Sequence, residues 1–370
     1  MKRQSKDDRA FTRAILGAPV VPPGSVTRGV LRFRRGLGRV QRETVPGSLR
    51  VLDGLFGLFD NRVLGLLCEL DIPDRLGAPR TVDELAAATG APVDAMDRLL
   101  RFSAARGFVG VDRRGRYRAN AVTEMLRRDQ PGSWRGWVQL ATSEWFWAAW
   151  RRADAPFASD PESGMIAAVG TDFFDFLEHG PPAAGAAFHA AMEAGATMQA
   201  VALSHGLDWE GIRRVCDVGG GTGAALRTLT RLRPELEPLL FDRPDVVAAA
   251  PTDLPAVGGD FFVSVPEGCD RYLLLAVVHD WDDAEAIRLL RCVRDALPAK
   301  GSAVVVENLL PDRPRDEFAV ASDLLMLVLG PGRERTRAQF DALFAAAGLT
   351  LARHVVLPTG FSAFVLVRPN

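Results

Sequence analysis

From about residue 211 onward, short apolar runs alternate with helical stretches. The runs are RRVCDVGG, LEPLLFD, RYLLLAVVHD, GSAVVVEN and FSAFVLVRP, and residues 224–233, 284–298 and 336–347 lie between them with helical periodicity. Strands without polar alternation need cover on both faces, and interleaved helices provide it. The expected fold class is α/β, with a doubly wound, parallel-stranded domain over residues 211–370. In such a sheet, ligands bind at the C-terminal ends of the strands.

The preceding half has a different texture. Thr81 and Glu84 form a capping box for a short helix that Gly90 ends, and a second helix follows over 93–106. The stretch FVGV…RYRAN then reads as a hairpin with Arg114 and Gly115 at its tip. Helix, turn, helix and hairpin make a winged-helix pattern over residues 46–120. Asp94 and Asp97 stand early in the second helix, where acids would meet DNA phosphates, so a regulator that binds nucleic acid is disfavoured. Residues 121–210 are helical and aromatic. They carry Trp134, Trp137, Trp145, Trp147 and Trp150, and then Phe173, Phe174, Phe176 and Phe188. Most suit a core, and as a group they also suit a pocket for a flat organic molecule.

Composition removes several classes. The 370 residues carry a net charge of -1, so no general attraction to nucleic acid or an anionic membrane is expected. No apolar run reaches the roughly 18 residues of a membrane span. The four cysteines are scattered and form no metal-ligand motif, which points to reduced thiols, a cytoplasmic setting and no metal. Residues 1–45 read as an untidy basic arm. Its RGVLRFRRGLGRVQR segment suits an arm packed on a partner subunit, or partial disorder, better than contact with a membrane or nucleic acid.

The loop DVGGGTGA follows the first strand of the α/β half and opens a helix. It can be forced onto a dinucleotide fingerprint, so a nicotinamide cofactor must be weighed. Asp217, directly ahead of Gly219 and Gly221, would repel a pyrophosphate. Asp242 ends the second strand, where an acid can accept ribose hydroxyls. Asp260 and Phe261 follow near the third strand end and suit an adenine amino group and ring face. This succession fits S-adenosylmethionine, which has no phosphate, better than NAD.

The stretch VVHDWDDAEAIRLLRCVRDAL resembles the His-Asp-Trp signature of the plant-type small-molecule O-methyltransferases, which have a bacterial secondary-metabolite branch. DVGGGTG, LLFDRPDVV, GDFF, VVVENLLPD and RERTRAQFDALFAAAGL agree in order, and the resemblance covers about residues 50–368. It implies a Rossmann-like methyltransferase domain preceded by a winged-helix dimerisation domain, a homodimer, and methyl transfer without metal. By resemblance His279 is the general base, flanked by Glu307 and Glu334. A neutral imidazole can take a phenolic proton as the oxygen attacks the methyl. Trp281 is expected on the adenine side of the cofactor, and Met192, Phe173, Asp280 and Met326 around the acceptor. Leu275 stands where many relatives carry Lys. Alternatives are a relative that binds S-adenosylmethionine but hydroxylates or decarboxylates a polyketide, and an NAD-dependent reductase. Nitrogen or sulfur acceptors also remain open.

Overall fold

The computed structural model describes residues 6–16, 29, 30, 33, 36–38, 40, 43–251, 253–313 and 318–369. The chain divides into two compact units. One takes Arg39–Trp147 and Gly180–Ala194, and the other takes Met1–Gly38, Ala148–His179 and Gly195–Asn370. Among the described residues, no helix is long and apolar enough to cross a membrane.

The first unit opens with the helix Gly47–Glu69. Its capping box is present: the Glu84 N–H donates to Thr81 Oγ1 (3.2 Å), and the Thr81 N–H donates to Glu84 Oε2 (2.8 Å). The helices Val82–Thr89 and Val93–Ala105 follow, then the hairpin of β1 (Gly110–Val111) and β2 (Tyr117–Arg118). Gly115 at the tip has a φ of 75°, a left-handed turn position suited to glycine. Leu67, Ile72, Leu85, Met96, Leu100 and Tyr117 close a small core.

The second unit holds a seven-stranded sheet. Its strands are β3 (Arg214–Val218), β4 (Glu237–Asp242), β5 (Ala256–Gly258), β6 (Arg271–Leu275), β7 (Ser302–Glu307), β10 (Thr350–Val356) and β11 (Ser362–Val367). The intervening β8 (Leu309–Leu310) and β9 (Arg335–Thr336) pair with each other. The order is β10-β11-β7-β6-β3-β4-β5. From β7 to β5 every pair is parallel, whereas β10, β11 and β7 are joined antiparallel. The expectation of a parallel sheet therefore holds for most of it, with an antiparallel edge added. Chain order reverses between β3 and β6, which opens a crevice at their C-terminal ends.

The N-terminal reading changes in part. Residues expected as a tail form the helix Lys6–Leu16, with Thr12 and Ile15 buried. The Phe11 ring lies 3.9 Å from the Arg231 guanidinium carbon. Much of the Arg-rich segment at 28–42 lies outside the described residues.

Candidate active site

The glycine loop leaves β3 at the switch point. Gly219, Gly221 and Gly223 have φ values of 71°, 57° and 83°. Such a run of left-handed residues folds back tightly only because they lack a Cβ. Gly220 is glycine for another reason: a Cβ there would lie 2.6 Å from Leu240 and 2.7 Å from Asp217 Oδ2. At Gly221 a Cβ would meet nothing within 4 Å, so that backbone borders open space.

Two acids brace this loop. Asp217 is buried beneath Gly220, and burial together with the nearby charge of Asp242 pushes its carboxyl up to about 8. Asp242 accepts the Gly221 N–H at Oδ2 and the Arg243 N–H at Oδ1, both at 2.7 Å. Burial raises Asp242 as well, against the pull of those two amides. A buried acid of this kind gains from an incoming ammonium or hydroxyl donor, which favours its charged form, whereas a pyrophosphate would bring further negative charge beside it. The donor set thus fits S-adenosylmethionine.

An aromatic wall faces the loop from the next crossover. A Cβ on Gly219 would lie 3.7 Å from Phe261. Phe261 and Phe262 meet Trp281 edge to face at 5.9 and 4.7 Å. Asp260 is exposed and accepts the Phe262 N–H at 2.8 Å, which shapes the turn. Phe174 stacks on Trp281 at 5.6 Å and 15°. Phe173, expected against the acceptor, touches Phe174 edge to face at 5.2 Å. Nothing in the sequence distinguished Phe174 from its neighbours.

His279 lies in a one-turn 3-10 helix after β6. Ala276, two residues before that helix, has a φ of 55°, a strained left-handed position for a residue with a Cβ. Two devices hold the turn there. Glu307, at the end of β7, accepts the N–H groups of Val277, Val278 and His279 on Oε1 at 3.1, 2.8 and 3.3 Å. From the other side, Arg333 to Arg335 grip it residue by residue. The Arg333 N–H donates to the His279 carbonyl (2.7 Å), and the Arg335 guanidinium donates to the carbonyls of Val278 (3.1 Å) and Trp281 (2.8 Å).

Glu334, between those arginines, reaches the imidazole itself. Its Oε1 lies 3.0 Å from His279 Nδ1 and also accepts from Ser322 Oγ (2.7 Å) and Asn308 Nδ2 (3.1 Å). A carboxylate only accepts, so Nδ1 carries the proton and Nε2 is left for a reactant. Sequence reasoning missed Asn308 and Ser322. Adjacency to Glu307 could have suggested Asn308, but no local pattern marks Ser322.

The electrostatics separate the acids. Burial opposes ionisation of Glu334, but bonds from His279, Ser322 and Asn308 outweigh it and hold the carboxyl below its usual range. Glu307 is pushed up to about 7 by burial, against the attraction of His279. Asp280 rises to about 6, again mainly by burial. Its Oδ1 lies 3.5 Å from Nε2, and its side chain keeps 28% exposure. Burial alone would keep His279 neutral; Glu307, Asp280 and Glu334 overcome it and raise the imidazole to about 10.

Met326 is half-buried one turn after Ser322 on the helix Phe318–Leu329. Leu275 is partly buried among apolar neighbours of the sheet. Met192, half-buried on the helix Pro182–Gly206, belongs to the first unit.

Comparisons with known proteins identify the family. Residues 153–350 match the O-methyltransferase domain family, and residues 52–129 match the O-methyltransferase dimerisation domain. O-demethylpuromycin-O-methyltransferase of Streptomyces alboniger is 35% identical over 86% of this chain and 88% of its own. Phenazine O-methyltransferase PhzM of Lysobacter antibioticus is 36% identical over 85% and 94%. The crystal structure of CalO1, a methyltransferase in calicheamicin biosynthesis with SAH bound, aligns with a TM-score of 0.78 at 30% identity. That alignment covers 87% of this chain and 98% of CalO1. The chain thus belongs to the O-methyltransferase family and is an S-adenosylmethionine-dependent O-methyltransferase.

Proposed function

We propose that this enzyme methylates a hydroxyl of an aromatic small molecule, with His279 as general base. The observation that carries this reading is the 3.0 Å contact between His279 Nδ1 and Glu334, which orients the ring through Nδ1 and leaves Nε2 outside that contact. One relative is named for a phenazine, a flat aromatic, and the cleft here has an aromatic wall of its own. S-adenosylmethionine supplies an electrophilic methyl group when bound.

The chain's residues then divide the work. Gly219 and Gly221 let backbone approach the cofactor, and Asp217 lies under them as a buried acid. Asp242 accepts the ribose hydroxyls, while Asp260, Phe261 and Trp281 receive the adenine. Phe173, Asp280 and Met326 border the acceptor. Glu307 fixes the turn that carries His279, and Glu334 supports the positive charge that forms on it. Residues 46–120 serve dimerisation, 121–210 line the acceptor pocket and 211–370 bind the cofactor, with 1–45 as an arm. A homodimer in the cytoplasm is the expected setting, and four free cysteines suit it.

The test is transfer of a deuterated methyl from labelled S-adenosylmethionine to a panel of phenols, hydroxyquinones and hydroxyphenazines, read by mass. His279→Ala should lose on the order of 10²–10⁴ in rate while still binding SAH. Transfer at the parental rate in that variant would remove His279 as the base. Absence of transfer to every aromatic hydroxyl would remove the acceptor class.

A further inference from the structure

We propose that the helix Phe173–His179 is a strap across the mouth of the cofactor cleft. Phe174 and the Glu178–Arg243 ion pair are its two latches, and they open for S-adenosylmethionine to enter and for SAH to leave. This inference rests on the glycine loop being the cofactor site and adds what retains the cofactor there.

The helix has little hold of its own. It is seven residues long, and none of them is buried. Helices this short do not persist by propensity alone. Asp172 starts it, with Oδ1 accepting the Asp175 N–H at 3.0 Å, and Gly180, Pro181 and Pro182 follow its end. Gly170, just ahead, has a φ of 80°, a turn that glycine adopts without strain. Two side-chain contacts fasten one face of the helix. The Phe174 ring lies on Trp281 at 5.6 Å and 15°. Glu178 Oε2 lies 3.0 Å from Arg243 Nη1, and Arg243 Nη2 lies 2.9 Å from Asp245. Phe174 and Glu178 are four residues apart, which puts both latches on the same face.

The two anchors stand on either side of the glycine loop. Arg243 directly follows β4, and Trp281 follows the turn after β6. In the sheet β3 lies between β6 and β4, and the glycine loop leaves the C-terminal end of β3. Asp242, the neighbour of Arg243, accepts the Gly221 N–H. Trp281 meets Phe261, which borders Gly219. A helix joined to both anchors therefore runs across that loop. The span agrees: two strand spacings make about 9.5 Å, the backbone from Phe174 to Glu178 rises about 6 Å, and the long side chains at each end cover the rest.

Neither latch is strong. The Glu178 and Arg243 side chains are 35% and 39% exposed, so water and salt weaken their pairing. A stacked aromatic pair adds a modest amount. Contacts of this strength hold a segment closed and still release it within a turnover. Both latches join protein to protein, so the strap bars passage in either direction.

The test is exchange of tritiated SAH on the full-length enzyme, with association followed directly and release followed by a chase of unlabelled SAH. Glu178→Gln should speed both steps by about two- to fivefold. Phe174→Ala should speed both by about two- to tenfold. Affinity should change less than either rate. Arg243→Glu should also open the strap, because it sets a like charge against Glu178. Combining it with Glu178→Arg should return both rates toward the parent. Raising salt from about 0.05 to about 0.5 M should speed release from the parent but not from Glu178→Gln. Faster release with unchanged association would make Phe174 and Arg243 plain cofactor contacts and overturn the strap. Failure of the charge swap to restore the rates overturns it too, as do parental rates in both Glu178→Gln and Phe174→Ala. The site itself is tested apart from the strap: parental SAH affinity in Gly221→Ala removes the glycine loop as the cofactor site, whatever the latches do.

Discussion

At the scale of single residues, the site is a contest between burial and charge. His279 keeps 12% exposure, and its pairing with Glu334 should contribute to stability. The folded-state imidazole is raised above its unfolded value. Its contribution is therefore fully present below about pH 6.5 and is lost as pH rises through about 10. Denaturant unfolding at pH 6.5, 8 and 10 should show the parent losing on the order of a few kcal/mol more than His279→Gln over that window. Equal slopes in the two proteins would mean that the imidazole gains nothing from its carboxylates. His279, Glu307 and Glu334 were legible because each stands at a strand end or in a quotable motif. Asn308 and Ser322 were not. They meet Glu334 only because β8 pairs with β9 and the helix Phe318–Leu329 folds back, and such long-range meetings leave no local pattern.

At the scale of elements, apolar runs revealed the central strands and caps revealed several helices. The edge strand β10 escaped notice because Arg353 and His354 interrupt its apolar pattern, as suits a strand open to solvent on one side. The glycine loop was visible, but the separate duties of its glycines were not. Gly220→Ala would drive a methyl into Leu240 and the Asp217 carboxyl, so it should cost about 1–3 kcal/mol of stability. Gly221→Ala meets open space and costs only its left-handed backbone, about 1–2 kcal/mol. Its methyl should instead stand where the cofactor approaches. Calorimetric titration with SAH should therefore find Gly221→Ala weakened more than its stability loss explains. Parental SAH affinity in that variant would show that the cofactor does not approach the loop there.

At the scale of the whole molecule, the exposed apolar surface points to a second copy. The helix Gly47–Glu69 leaves residues 47–59 exposed, and Leu52, Leu55, Phe56, Leu58 and Phe59 stand among them. Soluble monomers rarely present a contiguous patch of this kind, and the dimerisation-domain match begins at residue 52. Periodicity shows an apolar face but not what covers it, and it is the family resemblance that assigns this stretch to a subunit contact. Light scattering should give twice the 40.1 kDa chain mass. Leu55→Glu combined with Phe59→Glu should halve that mass, because two buried charges facing their symmetry mates would be desolvated without partners. Neither residue belongs to the small core of Leu67, Ile72, Leu85 and Met96, so the circular dichroism of the variant should match the parent. A parent protein of single-chain mass would sink the dimer. A double variant that stays dimeric would move the interface off this helix.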